Sequence, residues 1–168
     1  MYFAQSRDLS RARENDALLA SATSNEQWYL DAAKMRADWR ITAARLGESV
    51  DHAKAALEII DEVIALRQDI TFYGMRMAAA YLADDYDAVV ETARRMVWML
   101  REEFEFRFAS PDRKMSAREL SIHLLRLESM QAGLSEVRMS GRVANYKFLN
   151  LDESISELRR KIEAYAAR

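Results

Sequence analysis

The sequence contains no cysteine, only one proline and only four glycines in 168 residues. The lack of cysteine excludes disulfides, thiol catalysis, zinc ribbons and iron–sulfur ligation. Because turns and sheets need glycine and proline, their scarcity favours long helices joined by short turns. No apolar run approaches the roughly 20 residues of a membrane helix, and the N-terminal stretch lacks the pattern of a secretory signal. These absences predict a cytoplasmic protein that does not enter a membrane.

What is present is a globular composition, with 50% hydrophobic and 31% charged residues. Residues 1–110 contain 14 Lys and Arg against 19 Asp and Glu, whereas residues 111–168 contain 11 against 8. The sign of the net charge therefore changes near Pro111, and the C-terminal part attracts anionic partners weakly. We predict a helical bundle over 1–110 and a second segment over 111–168.

Apolar residues at steps of three and four predict four to five helices in the bundle. Trp28, Met35 and Trp39 lie on one predicted helix face, which ends at Gly47. From Val50 two adjoining apolar stripes run to Ile70, and the pattern leaves open whether residues 49–82 form one helix or two. It also leaves open whether residues 1–23 are ordered alone. The predicted class is mainly α.

The segment after Pro111 has a different pattern. Ser116 and Glu119 have the spacing of a capping box, and Gly133 is a plausible helix stop. Apolar and polar residues then alternate on both sides of Ser140-Gly141, which predicts a β-hairpin over 134–149. Asn150 precedes a last amphipathic helix, so the segment is predicted to be helix, hairpin, helix.

This arrangement resembles the head–tail joining protein W family of phage lambda and its relatives. The resemblance lies in LLRLESMQAGLSEVRMSGRVANYKFLNLDESISELRRKIEAY, residues 124–165, with its Gly-Arg turn and its closing helix. It implies a small non-enzymatic connector that forms a ring beneath the portal and contacts other virion proteins. The expected location then becomes the virion or the host cytoplasm, and the expected assembly a homo-oligomer.

Three cations surround the predicted hairpin: Arg138, Arg142 and Lys147. A β-ribbon that carries three positive charges can touch DNA phosphates or an acidic subunit. We therefore select these residues as the candidates for partner binding.

No pattern in the sequence indicates catalytic, cofactor or metal chemistry. His52 lacks the acidic neighbour of a phospho-accepting histidine, and His123 and Glu119 form a lone pair on one helix face, not a di-iron motif. The four glycines are too far apart for a phosphate loop. We therefore expect a non-enzymatic protein that works through protein–protein contacts. The alternative is a cytoplasmic bacterial helical-bundle adaptor or regulator that binds one protein partner.

Overall fold

The computed structural model describes residues 10–11, 13–22, 28–108 and 115–166, and these residues are almost entirely helical. The mainly α class is therefore confirmed, and the described residues contain no strand. The elements are α1 (Asp16–Ala20), α2 (Tyr29–Arg45), α3 (Val50–Leu66), α4 (Ile70–Leu82), α5 (Tyr86–Phe108), α6 (Ala117–Ser140), a 3₁₀ helix (Asn145–Phe148) and α7 (Leu151–Ala166).

The chain divides into two compact units, Met1–Asp85 and Tyr86–Arg168, which we call unit 1 and unit 2. Unit 1 contains α1 to α4, and unit 2 contains α5, α6, the 3₁₀ helix and α7. The boundary predicted at Pro111 lies outside the described residues and stays a prediction.

Buried alanines from α2, α3 and α4 contribute to the core that holds these three helices together in unit 1. Ala37, Ala56 and Ala79 come from the three different helices, and each is fully buried. Such small side chains let helix backbones approach closely, and Ile60 and Val63 fill the remaining core space. By contrast, the large residues Trp28 and Met35, which the sequence placed on the core face of α2, are exposed.

The stretch 49–82 is two helices, and side-chain caps explain where each begins. The Ser49 hydroxyl accepts from the backbone N–H of Asp51 at 3.1 Å, which starts α3. The chain becomes extended at Arg67, and the carboxylate of Asp69 then accepts from the N–H of Thr71 at 2.8 Å to start α4. Gly47 provides the predicted stop of the preceding helix, since its φ of +78° suits glycine.

Unit 2 is a three-helix arrangement in which α5, α6 and α7 contact one another. The predicted capping box of α6 is confirmed: Ser116 Oγ accepts from the N–H of Glu119, and a Glu119 carboxylate oxygen accepts from the N–H of Ser116. The predicted apolar stripe of α7 consists of Leu151, Ile155, Leu158, Ile162 and Tyr165. The first four are buried and Tyr165 is half-buried.

The predicted hairpin over 134–149 is wrong. Helix α6 continues through Gly133 and ends only at Ser140, and residues 145–148 form the 3₁₀ helix. The reason is that Met130, Leu134 and Val137 are spaced by four and three residues and are all buried, which rewards a helical path. Glycine in the interior of a helix costs about 1 kcal/mol relative to alanine, and the core contacts of the residues near Gly133 outweigh this cost.

Candidate partner-binding surface

Helix α6 ends in a well-formed cap immediately before the predicted site residue Arg142. Gly141 has a φ of +67°, and its N–H donates to the carbonyl of Arg138 at 3.1 Å. The Ser140 hydroxyl donates to the Val137 carbonyl and accepts from the N–H of Arg142. These bonds satisfy backbone groups that a helix end otherwise leaves without partners. The chain therefore leaves α6 along a defined path.

The short connection from Gly141 to α7 is fixed by two buried anchors. Val143, two residues before the 3₁₀ helix, and Phe148, the last residue of that helix, are both buried, so the connection is anchored near each end of the 3₁₀ helix. Asn150 adopts a positive φ of +64°, a conformation that asparagine tolerates better than most residues, and α7 begins at the next residue.

Arg138 is held by two contacts made by its guanidinium group. The group lies 4.6 Å from the centre of the Phe148 ring and pairs with the carboxylate of Asp152 at 2.5 Å. The first contact crosses to the 3₁₀ helix and the second crosses to α7. Arg138 therefore ties the end of α6 to the start of α7.

Lys147 ties the 3₁₀ helix to α5. Its Nζ donates to the Asp87 carboxylate at 2.8 Å, and its backbone carbonyl accepts from the guanidinium of Arg94 at 2.5 Å. The hydrogen bond with Asp87 raises the pKa of Lys147. The lysine charge is thus matched by a carboxylate within its own unit.

Arg142 places its guanidinium 5.3 Å from the centre of the Tyr86 ring, at the start of α5. The structure therefore brings all three predicted site residues to one end of unit 2. It does so through contacts with α5, α7 and the 3₁₀ helix rather than along a β-ribbon.

Three large apolar side chains beside these cations face solvent. Met139, Tyr146 and Leu149 are 79%, 67% and 67% exposed. We call these three residues, with Arg138, Arg142 and Lys147, the junction surface. The sequence analysis did not select Leu149, and in the predicted hairpin Tyr146 and Phe148 would lie on the same face of one strand. In the 3₁₀ helix these two side chains have different surroundings: Phe148 is buried, whereas Tyr146 is exposed to solvent.

A second polar cluster, which sequence reasoning missed, lies in unit 1 between α1 and α2. The Asp16 carboxylate accepts from Trp39 Nε1 at 3.1 Å, from Arg40 at 2.7 Å and from Arg36 at 3.3 Å. The Arg40 guanidinium also stacks 4.5 Å from the centre of the Trp39 ring. Burial alone would raise the pKa of Asp16, but the hydrogen bond from Trp39 and the two arginine charges outweigh it and lower the pKa.

The two histidines have different surroundings, and among the residues that the structure describes neither belongs to a group of three metal ligands. His52 lies edge-on to Trp39 at 5.3 Å and 3.7 Å from Glu48. His123 is buried edge-on to Phe104 at 5.4 Å, with Nε2 3.9 Å from a Glu103 carboxylate oxygen. The Nδ1 atom of His123 is buried without a hydrogen-bond partner. Burial lowers the pKa of His123 despite the nearby carboxylate.

The lowered pKa of His123 makes the stability of unit 2 dependent on pH. In the unfolded chain this histidine takes up its proton near pH 6.5, the ordinary value, whereas the folded protein takes it up only at lower pH. The unfolded state therefore binds more protons in this window. The stabilising contribution is complete above pH 6.5 and decreases as the pH falls below it.

We expect the urea concentration at the unfolding midpoint to decrease as the pH is lowered from 7.5 to 5. His123→Phe should make that decrease smaller. Ile122→Gln, a non-titrating change at an exposed position of the same helix, serves as the control and should keep the slope of the wild-type protein. Identical pH slopes for the wild-type protein and His123→Phe would contradict the assignment.

In the described part of the chain, no three His, Asp or Glu side chains come together as metal ligands. Among the same residues, no helix combines the length and apolar character needed to cross a membrane. Comparison with family models, with curated proteins and with solved structures finds no match for this chain.

Proposed function

We propose that this is a non-enzymatic protein that works by binding other proteins, and that the junction surface is its main contact. The observation that carries the proposal is the exposure of Met139 near the end of α6, and of Tyr146 and Leu149 on the anchored connection that follows it. Tyrosine and methionine are enriched in protein interfaces, and a pre-ordered surface loses little entropy on binding.

The state of the cations favours a protein partner over a nucleic acid. Arg138 and Lys147 are paired with Asp152 and Asp87, and Arg142 lies over the Tyr86 ring. Phosphate binding would have to compete with these contacts, whereas an apolar partner face would leave them intact. DNA contact, which the charge pattern of the sequence suggested, is therefore the less favoured outcome.

The expected contribution of the apolar side chains is large enough to measure. Full burial of a large apolar side chain stabilises a complex by about 1.5–3 kcal/mol, and tenfold in Kd corresponds to about 1.4 kcal/mol. We expect Tyr146→Ser with Leu149→Ser to weaken partner binding roughly 100-fold. Because both residues are exposed, the free energy of unfolding should change little.

The partner can be found by placing a photo-reactive benzoylphenylalanine at position 146 and, as a control, at position 66. Leu66 is exposed to a similar degree but belongs to unit 1. A protein cross-linked from position 146 alone is then purified, and its Kd is measured for the wild type, the double variant and Leu66→Ser. Equal affinities for all three proteins, or cross-links to nucleic acid alone, would refute the proposal.

In its most specific form, the proposed function is that of a phage or prophage head–tail connector that forms a ring with other virion proteins. The helical stripe of α7 and the Gly-Arg sequence at 141–142 support this form. Its test is the mass in solution with purified portal and capsid proteins. A ring of roughly a dozen copies supports the connector.

A bacterial adaptor that binds one protein partner is the second candidate. The helical path of residues 134–149 favours it, because the hairpin was part of the resemblance to the connector family. A monomer or dimer that keeps its mass beside capsid components would decide for the adaptor.

A further inference from the structure

Helix α1 is held to α2 mainly by one carboxylate and not by a buried apolar face. None of its five residues is buried, and only Leu19 packs, partly buried, against Trp39 and Ala43. A helix of this length is not stable alone in water. Its position therefore depends on the contacts that Asp16 and Leu19 make with α2, together with the ion pair that Arg13, just before α1, makes with Glu48 at 3.1 Å.

The surface that receives α1 is formed by α2 and α3 without its help. Arg36, Trp39 and Arg40 are spaced by three and one residues, so their side chains converge on one face of α2. Trp39 is fixed there by the stacked guanidinium of Arg40 and by the edge of His52 on α3. Trp39 and Arg40 thus have a support that does not depend on α1.

The fit of α1 to this surface is incomplete. Asp16 Oδ2 binds Arg40 through one terminal nitrogen, while Oδ1 accepts from Trp39 and Arg36. The Nε atom of Arg40 is buried and has no hydrogen-bond partner. An arginine paired through both Nε and a terminal nitrogen binds a carboxylate more strongly than one paired through a single nitrogen. A ligand carboxylate that reached Nε as well would therefore improve on Asp16.

We propose that α1 is an exchangeable strap, and that the surface of Arg36, Trp39 and Arg40 binds a helical segment of a partner protein in its place. The segment carries a carboxylate residue with leucine three positions later, as Asp16 and Leu19 do in α1. Its carboxylate meets the three donors, and its leucine covers Trp39 and Ala43. The strap then acts as an internal competitor that sets how tightly the partner binds.

The probe is a helix-stapled peptide with the sequence of residues 13–22, RENDALLASA, added to the full-length protein. Binding is followed by the NMR signal of the Trp39 indole N–H, identified by its loss in Trp39→Phe. Asp16→Asn weakens the strap and leaves the receiving side chains unchanged. We expect the peptide to bind this variant at least about tenfold more tightly than the wild type, because the site is more often open.

Two controls make the experiment specific. Asp31→Asn, an exposed change in the first turn of α2, should bind the peptide as the wild type does. A peptide with asparagine at its aspartate position should bind neither protein. Equal affinity for wild type and Asp16→Asn, or no shift of the Trp39 signal with the variant, overturns the proposal. Self-association, seen as a mass that rises with protein concentration, would assign the surface to a second copy if it abolished peptide binding. That result would also overturn the proposal.

Discussion

Val137→Asp is expected to lower the free energy of unfolding by roughly 3–5 kcal/mol, whereas Met139→Asp, two residues further along α6, should change it by less than about 0.5 kcal/mol. Val137 is fully buried, so a carboxylate at this position would enter the apolar core of unit 2 and lose its hydration. Met139 is 79% exposed, and a carboxylate there stays in water.

This pair of variants tests the secondary structure directly. In a hairpin, residues 137 and 139 would lie on the same face of one strand, and both substitutions would have similar effects. In a helix they lie about 200° apart, and only one of them reaches the core. Urea denaturation followed by far-UV circular dichroism measures the loss, and hydrogen exchange of residues 117–166 locates it in unit 2. Similar losses for the two variants would contradict the helix.

Local sequence chemistry was sufficient to predict the helix ends that depend on neighbouring residues. The capping box at Ser116 and the stop at Gly47 each involve groups within five residues. The apolar stripe of α7 could also be predicted from the sequence, because its large apolar residues recur at helical spacing. These features need no information about the rest of the chain.

The hairpin was predicted because alternation over a few residues fits two structures. Ser135, Val137 and Met139 alternate as in a strand, but Leu134 and Val137 are also three residues apart, as in a helix. The choice between them is made by the burial of Leu134 and Val137 in the core of unit 2, which tertiary contacts provide. A short run cannot contain that information.

The candidate site was predictable as residues but not as an arrangement. Arg138, Arg142 and Lys147 stand out by charge. The two residues that hold Lys147 in place, however, are far away in sequence: Asp87 by 60 positions and Arg94 by 53. The pairing of Asp16 with Trp39 spans 23 positions and carries no local signature either. Only the packing of helices against one another brings these groups together.

Phe104→Ala is expected to destabilise unit 2 by about 3–5 kcal/mol at neutral pH, since removal of a buried aromatic ring loses its apolar contacts and leaves a cavity. Phe104 is almost completely buried and packs edge-on against His123 on α6. Phe106, on the same helix, is 59% exposed, so Phe106→Ala should cost less than about 1 kcal/mol.

The same substitution should also reduce the acid sensitivity of the protein, because it admits water beside the His123 ring. Hydration removes part of the burial that lowers the pKa of His123, so the folded and unfolded values move closer together. The decrease in the urea midpoint between pH 7.5 and 5 should then be smaller in Phe104→Ala than in Phe106→Ala. A steeper decrease in Phe104→Ala would show that the ring does not shield His123, and that another buried group sets the pH dependence.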